Sequence, residues 1–285
     1  MRCVVVVLGV CACARGGMGL QDAPPGGDDA PAHRDAAPDT TSADAACPRP
    51  AASGPHVLLS EVVLTPSGHE FIELVNPTTS TVDLSHYYLS DSGAYYKLPA
   101  GAPNLGADDF IVKFPAGTTL APAQVITVAT DTAANFMTAY GSQPSYSIAD
   151  GTITTVAINP PATLTDAGEL VVLFEWDGTS ALVQDVDMVL AGVPSSINGL
   201  DPKGGYAQLG CTYAVDADSL PAQAAAAGAG KSTKRIALEG ASETHGGNGN
   251  GITGDDETSE ATGTTWDTTA TFSAPTPGSV PAAIQ

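Results

Sequence analysis

Beyond residue 56 the chain alternates between short apolar segments and turn-forming residues, and this pattern is what most limits how it can fold. Val, Ile, Leu, Phe and Tyr fill the segments, and Gly, Pro, Asn and Asp interrupt them. Segments this short cannot form long helices, but they are typical of the strands of a β-sandwich or barrel. The predicted strands are residues 57–64, 70–76, 87–89, 95–98, 110–114, 124–129, 152–158, 169–176, 182–190, 235–238 and 270–272.

One predicted strand, residues 70–76, indicates how the sheets are covered. Because side chains alternate across a strand, Ile72 and Leu74 are expected to face one way. The other side carries Phe71, Glu73 and Val75. That mixture of charged and apolar residues indicates a sheet packed on one side and partly covered on the other.

Two short helices are predicted within this all-β pattern. Residues 132–140 follow Asp131 as a cap and stop at Gly141, and the Ala-rich residues 219–227 stop at Gly228. Predicted strands lie on both sides of the polar, Gly-rich region before residue 265. We therefore expect a single domain over 56–285, with a division near residue 195 as the alternative.

The first 55 residues have the pattern of an export signal followed by a tether. Residues 1–14 contain Arg2 and then an apolar run, which is the layout of a signal peptide. The pair Ala12-Cys13 near their end is similar to a bacterial lipobox, so Cys13 is the predicted lipidation residue. An ordinary cleaved signal is the alternative. Residues 15–55 are almost entirely Ala, Pro, Gly, Asp, Ser and Thr, so we expect a disordered tether.

The charge balance restricts the partners. The chain has 31 Asp and Glu against 10 Lys and Arg, a formal net charge of -21. Nucleic-acid binding needs clustered cations that displace counterions, so no nucleic-acid partner is expected. The same charge disfavours direct contact with anionic lipid. We expect an outer-membrane or cell-surface lipoprotein that meets the membrane only through its lipid anchor, or otherwise a secreted protein.

Several linked segments resemble a known family. They are LSEVV at 59–63, EFIELVNP at 70–77, VDLS at 82–85, YLSD at 88–91 and the closing APTPGSVP at 274–281. Together they resemble the lamin tail domain found in bacterial surface and secreted proteins. This resemblance implies an immunoglobulin-like β-sandwich that acts as an interaction module, with no known catalytic residues and no cofactor.

Two candidate sites follow from the residues. Asp255, Asp256, Glu257 and Glu260 offer hard oxygen ligands, which predicts a calcium site; a solvated acidic loop is the alternative. Cys47 and Cys211 are the two cysteines outside the signal region. In an oxidising compartment they are expected either to form a disulfide or to remain two unrelated thiols.

The motifs that hint at an enzyme lack their context. Gly230-Lys231-Ser232-Thr233 ends like a phosphate-binding loop, but it precedes a predicted strand where such a loop opens a helix. The predicted function is a non-enzymatic module that is displayed at the cell surface and binds an unknown protein or glycan. A calcium-dependent adhesion module is one alternative, and a hydrolase with its site in 191–285, tested at His245 and Asp255, is another.

Overall fold

Two five-stranded β-sheets form most of the described chain in this computed structural model. The structure describes residue 47 and residues 56–101, 103–192, 203–214, 224–239, 250–251 and 254–284. The predicted signal peptide 1–14 and, apart from Cys47, the predicted tether 15–55 lie outside these residues.

The elements follow one another in this order. The strands are β1 Leu58–Val63, β2 Phe71–Val75, β3 Val82–Asp83, β4 Tyr87–Ser90, β5 Phe110–Lys113, β6 Thr119–Leu120, β7 Val125–Ala129, β8 Tyr146–Ser147, β9 Thr154–Ile158, β10 Gly168–Glu175, β11 Gln184–Gly192, β12 Ala207–Gln208, β13 Cys211–Thr212 and β14 Thr233–Lys234. The α-helices are α1 Ala133–Tyr140 and α2 Thr262–Thr265. The 3₁₀ turns are Tyr95–Ala100, Glu257–Ser259 and Ala282–Ile284.

Both sheets are antiparallel apart from one edge. Sheet A has the order β14-β1-β2-β7-β8, in which β8 runs parallel to β7, and sheet B has the order β11-β10-β4-β5-β9. In sheet A, Leu59 lies opposite Leu74 and Glu61 opposite Glu73, with a bulge at Ser60. Two small two-stranded pairs, β3–β6 and β12–β13, lie outside these sheets.

The sheets pack face to face over an apolar core. Ile72 and Leu74 of β2 share this core with Val171 and Leu173 of β10, and Trp266 lies in it without solvent exposure. The inward face predicted for β2 is confirmed, and so is the all-β sandwich.

The outer face of sheet A is covered more completely than the sequence predicted. Phe71 packs edge-on against Phe136 of α1, with ring centroids 5.5 Å apart. At the other end of the same strand, Val75 packs against Ile284 of the last 3₁₀ turn. Segments far apart in sequence therefore bury this face, which is why β2 carries apolar residues on both sides.

A second apolar layer covers the outer face of sheet B. Tyr88 of β4 stacks on Phe174 of β10, with ring centroids 5.1 Å apart. Tyr95 and Tyr96 lie over this face, and the β12–β13 hairpin region adds Tyr213. Sheet B is therefore buried on both sides, as the nearly continuous apolar sequence of β10 requires.

Some predicted elements are wrong. Residues 95–98 lie in a 3₁₀ turn. Three of them are buried aromatic or aliphatic residues that pack on the outer face of sheet B. Helix α1 is capped by Thr132, whose hydroxyl accepts the Asn135 amide, and not by Asp131. Residues 270–272 lie in a turn without strand pairing. Of the predicted helix 219–227, the structure describes 224–227, where Ala224 bridges to Ala191 in extended form.

The described residues all belong to one compact unit. Beyond residue 189 they still build the sandwich, since β14 extends sheet A beside β1. Among the described helices, none has the length and apolar character needed to cross a bilayer.

Candidate functional site

A buried ionic cluster joins the two sheets. Arg235 is 1% exposed, and its guanidinium contacts Asp187 at 2.7 Å and Glu260 at 2.9 Å. Its Nε donates to the Leu59 carbonyl at 2.8 Å, and its guanidinium lies 5.0 Å from the Trp266 ring. One side chain therefore connects sheet A, sheet B and the C-terminal segment.

The electrostatics keep Arg235 charged. Burial by itself favours the neutral form, but the facing carboxylates of Asp187 and Glu260 outweigh it and raise the pKa of the guanidinium. Asp187 also accepts the Leu59 amide at 2.6 Å, so its second oxygen is satisfied. The cluster is a packed charge network that links sheet A to sheet B.

Metal-ligating side chains gather beside this network. His56, Glu239 and Glu257 form one group whose ligand atoms all lie within 4.8 Å of one another, and Asp187, Glu239 and Glu260 form a second. His56 Nε2 lies 3.3 Å from Glu239 Oε2. The second group already surrounds Arg235, so the group that contains the imidazole is the better candidate for a divalent cation.

The four acidic residues predicted to bind calcium are distributed over different roles. Glu257 belongs to the group with His56, whereas Glu260 pairs with Arg235. Asp256 caps the turn Glu257–Ser259 by accepting the Thr258 amide at 3.1 Å. Neither Asp255 nor Asp256 belongs to either of the groups found among the described residues. The calcium site remains a prediction.

The two predicted cysteines lie together. Cys47 and Cys211 form a disulfide with their Cα atoms 5.6 Å apart. Cys211 begins β13, so this bond attaches the C-terminal end of the predicted tether to the layer over sheet B. Cys13 and His245 lie outside the described residues.

Two glutamates within the segments that resemble the family hold the C-terminal segment. Glu61 and Glu73 are cross-strand neighbours on the outer face of sheet A. Glu61 accepts the Thr276 amide at 2.9 Å, and Glu73 accepts the Gly278 amide at 2.6 Å. Burial raises the pKa of Glu73 to about 8, against the effect of its hydrogen bonds from Gly278 and Ser60. The closing Thr-Pro-Gly turn is therefore part of the fold.

A surface cleft of about 430 Å³ lies where the ends of both sheets meet. It is lined by Ser67, Gly68, Glu70, Thr130, Asp131, Ile148, Ala149, Ile158, Pro160, Pro161, Ala162 and Thr163. Half of these residues are aliphatic or proline, and none is aromatic or cationic. The volume lies within the range of small-ligand and side-chain pockets.

One carboxyl group of the cleft is perturbed. Burial raises the pKa of Glu70 to about 7, although a hydrogen bond from Thr130 lowers it. Gly68 has a φ of +86°, and a Cβ there would lie 3.1 Å from Asp131 Oδ2. Only glycine gives this turn its left-handed backbone while leaving room for Asp131 beside Glu70.

Strand β9 borders the cleft and forms an edge of sheet B. One edge of β9 pairs with β5, and no described strand pairs with its other edge. Val156 is 39% exposed and Ile158 is 38% exposed, and the strand carries no charge. An uncharged edge with exposed β-branched residues is a template on which an extended chain can pair.

The partners in the ionic cluster do not follow from the sequence, although the sequence contains signals of them. Arg235 begins the predicted strand 235–238, and Asp187 lies within the otherwise apolar 182–190. A charge inside a buried strand needs a partner. Which partner it finds depends on how the two sheets pack, and spacing along the chain does not reveal that.

The fold is an all-β, immunoglobulin-like sandwich whose C-terminal segment is bound across one face. Residues 50–189 match the Lamin Tail Domain family, and the chain thus carries a lamin tail domain. This class of β-domain is generally non-enzymatic.

Among solved structures, a DUF4876 family protein from Bacteroides thetaiotaomicron VPI-5482 is similar at 16% identity and a TM-score of 0.34. The alignment covers 80% of this chain and 72% of that one. No curated protein matches the sequence.

Proposed function

We propose that this protein is a non-enzymatic interaction module, held outside the cytoplasm on a lipid-anchored tether, that binds an extended segment of a partner protein. The observation that carries the proposal is the cleft at residues 67–70 and 158–163 together with the edge strand β9. Main-chain pairing along the edge supplies affinity, and a side chain that enters the cleft supplies specificity.

The cleft chemistry selects the kind of segment. Aliphatic side chains and prolines favour an apolar side chain of the partner. Asp131 lines the cleft and no Lys or Arg does, so a neighbouring basic residue of the partner is attracted. Glycan sites commonly use an aromatic platform, which this cleft lacks. A cationic, partly apolar extended peptide therefore fits better than a sugar.

A bulge restricts where the segment can pair. The register between β5 and β9 shifts so that Val156 is an extra residue in β9. Bulges at edges limit uncontrolled pairing between sheets. We expect the partner to pair only along 156–158, the part of β9 that leads into the cleft.

The experiment is selection of displayed random peptides on the purified full chain, followed by affinity measurement. Selected peptides should contain an apolar residue next to Lys or Arg. Ile158→Lys should weaken their binding at least about 10-fold, since it removes apolar contact and sets a positive charge against the basic residue of the partner. Leu209→Lys is the matched control, because Leu209 is 57% exposed on the β12–β13 hairpin.

The outcomes separate the alternatives. Equal weakening by both variants, or no selected peptide, contradicts the proposed site. Binding on a glycan array that survives Ile158→Lys supports a carbohydrate partner elsewhere on the surface. The anchor is tested separately, because Cys13→Ser should release the protein from host membranes and abolish labelling by radioactive palmitate.

A divalent-cation-dependent adhesion module is the second candidate, supported by the group His56, Glu239 and Glu257. One imidazole and two carboxylates suit Zn²⁺ or Mn²⁺ better than Ca²⁺, which prefers oxygen ligands alone. Calorimetric titration with each ion tests this. Glu257→Gln should abolish binding, and Asp256→Asn should preserve it; no heat with any of the ions at millimolar concentration excludes the candidate.

A further inference from the structure

A lysine and an aspartate are buried together on the outer side of sheet B. Lys203 Nζ lies 2.7 Å from Asp185 Oδ2, and each side chain is 1% exposed. Tyr95 donates its hydroxyl to the other oxygen, Asp185 Oδ1, at 2.6 Å. The Tyr95 ring lies 5.7 Å from Lys203 Nζ and packs against Phe174. The pair therefore lies next to the aromatic side chains that cover sheet B.

A β-bulge determines that Asp185 faces this layer. Asp187 pairs with Leu173 and Asp185 pairs with Phe174, which leaves Val186 as the extra residue. Val186 packs in the core between the sheets, where Asp187 also reaches Arg235. Asp185 points to the opposite side, among the aromatic residues. The two aspartates of one strand therefore serve two separate clusters.

The surroundings favour the neutral forms of this pair. Lysine is almost never fully buried unless it is paired, and taking both charges of an ion pair out of water is costly. Transfer of one proton from the ammonium to the carboxylate gives an amine and a carboxylic acid, which burial tolerates better. A neutral amine is a nucleophile, and the fold holds it against a carboxyl group whose oxygen is polarised by Tyr95.

We propose that Asp185 and Lys203 condense into an intramolecular isopeptide bond. After proton transfer, Lys203 Nζ attacks Asp185 Cγ, and the negative charge that develops on Oδ1 is stabilised by the Tyr95 hydroxyl. The C–Oδ2 bond breaks, and Oδ2 leaves with two protons as water. Overall, one carboxylate and one ammonium become one amide and one water, with no oxidant or cofactor.

The bond would link segments that otherwise only pack. It joins β11 of sheet B to the segment that leads into the β12–β13 hairpin. That hairpin carries Cys211, which is bonded to Cys47. The end of the predicted tether would then be joined to sheet B through two crosslinks, the disulfide and the isopeptide bond. This inference is independent of the proposed peptide site.

Mass spectrometry of a tryptic digest of the reduced, alkylated full chain tests the proposal. No Lys or Arg lies between Lys113 and Lys203 or between Lys203 and Lys231, so an unlinked chain yields peptides 114–203 and 204–231. An isopeptide at Lys203 blocks cleavage there. The expected result is one peptide, 114–231, that is lighter than its sequence by about 18 Da, the mass of water.

Variants and controls make the result specific. Asp185→Ala should restore cleavage into 114–203 and 204–231, and Lys203→Met should give 114–231 at its full sequence mass. Lys97→Met is the matched control, because Lys97 lies over the Tyr96 ring in the same layer and should leave the water loss unchanged. Separate peptides, or an uncut peptide of full mass, from the native protein overturn the proposal, so the test does not depend on the variants folding.

Discussion

Arg235 bonds to residues of both sheets and of the C-terminal segment. Its guanidinium faces Asp187 of sheet B and Glu260 of the C-terminal segment, while its Nε bonds to β1 of sheet A. Removing one member of such a network leaves uncompensated charges that are buried. The planar fork of arginine matches two carboxylates at once, which lysine cannot do.

Arg235→Met is expected to lower the free energy of unfolding by about 3–5 kcal/mol, because Asp187 and Glu260 lose their counter-charge. Chemical denaturation followed by tryptophan fluorescence measures this, since Trp266 lies beside the guanidinium. Lys231→Met, at an exposed lysine, is the control and should cost no more than about 1 kcal/mol. Similar losses in both variants would show that the network contributes little.

Three buried glutamates make the free energy of unfolding depend on pH. Burial raises the pKa of Glu73 to about 8 and the pKa values of Glu70 and Glu169 to about 7. In the unfolded chain these groups titrate near the ordinary glutamate pKa of 4.5. Between these values the folded state holds more protons than the unfolded state, so the free energy of unfolding falls as pH rises from about 4.5 to about 8.

Urea denaturation at pH 5 and pH 8 measures this effect, and the protein should be more stable at pH 5. Glu73→Gln should flatten the dependence, because the amide does not titrate. Asp177→Asn should leave it unchanged in this range, since hydrogen bonds from Ser180 and Thr179 lower the pKa of Asp177. Stability that increases from pH 5 to pH 8 would contradict the assignment.

At the scale of elements, α1 and the closing turn protect one sheet face. Phe136 of α1 packs on Phe71, and the Thr-Pro-Gly turn is held by Glu61 and Glu73. Both elements are short, so their own hydrogen bonds do not stabilise them alone. Their stability comes from packing on β1 and β2 and from side chains that satisfy their terminal groups.

The N-cap of α1 gives a direct test at this scale. Thr132→Ala removes the hydroxyl that accepts the Asn135 amide, and we expect a loss of about 1 kcal/mol. Thr138→Ala is the matched control on the exposed side of the same helix, where the hydroxyl bonds only to the Ala134 carbonyl. Differential scanning calorimetry should show a lower Tm for the first variant alone; an equal shift in both would contradict the cap.

In the whole molecule, a disulfide and non-covalent contacts join parts of the chain that are far apart in sequence. The Cys47–Cys211 bond joins residues 164 positions apart in sequence. The segments beyond residue 189, which lie outside the family match, supply β14, Arg235 and the closing turn. The lamin tail domain of this chain therefore depends on its C-terminal region for a complete sheet A and a covered outer face.

Breaking the disulfide should destabilise the molecule. By the loop-entropy model, a closed loop of this length contributes up to about 5 kcal/mol through the unfolded state. Cys211→Ser should lower the Tm, and reducing agent should lower the Tm of the native protein but not that of the variant. A Tm unaffected by reduction would show that the bond constrains little.

The sequence by itself determined the class of fold and most of the strands. Alternation along 70–76 and the turns between segments specify β structure locally, and the inward side of β2 follows from the period of two. The family segments at 59–63, 70–77 and 274–281 identified the domain. These features are local, so neighbouring residues are enough to encode them.

Only the tertiary structure decided which distant residues meet. The approach of Arg235 to Asp187, the grouping of Glu257 with His56 and the pairing of Asp185 with Lys203 all join segments far apart in the chain. The 3₁₀ turn at Tyr95–Ala100 had strand-like residues, but its aromatic side chains gain more by covering sheet B. Burial of charge and of aromatic surface is a property of the packed sheets, and no spacing along the chain specifies it.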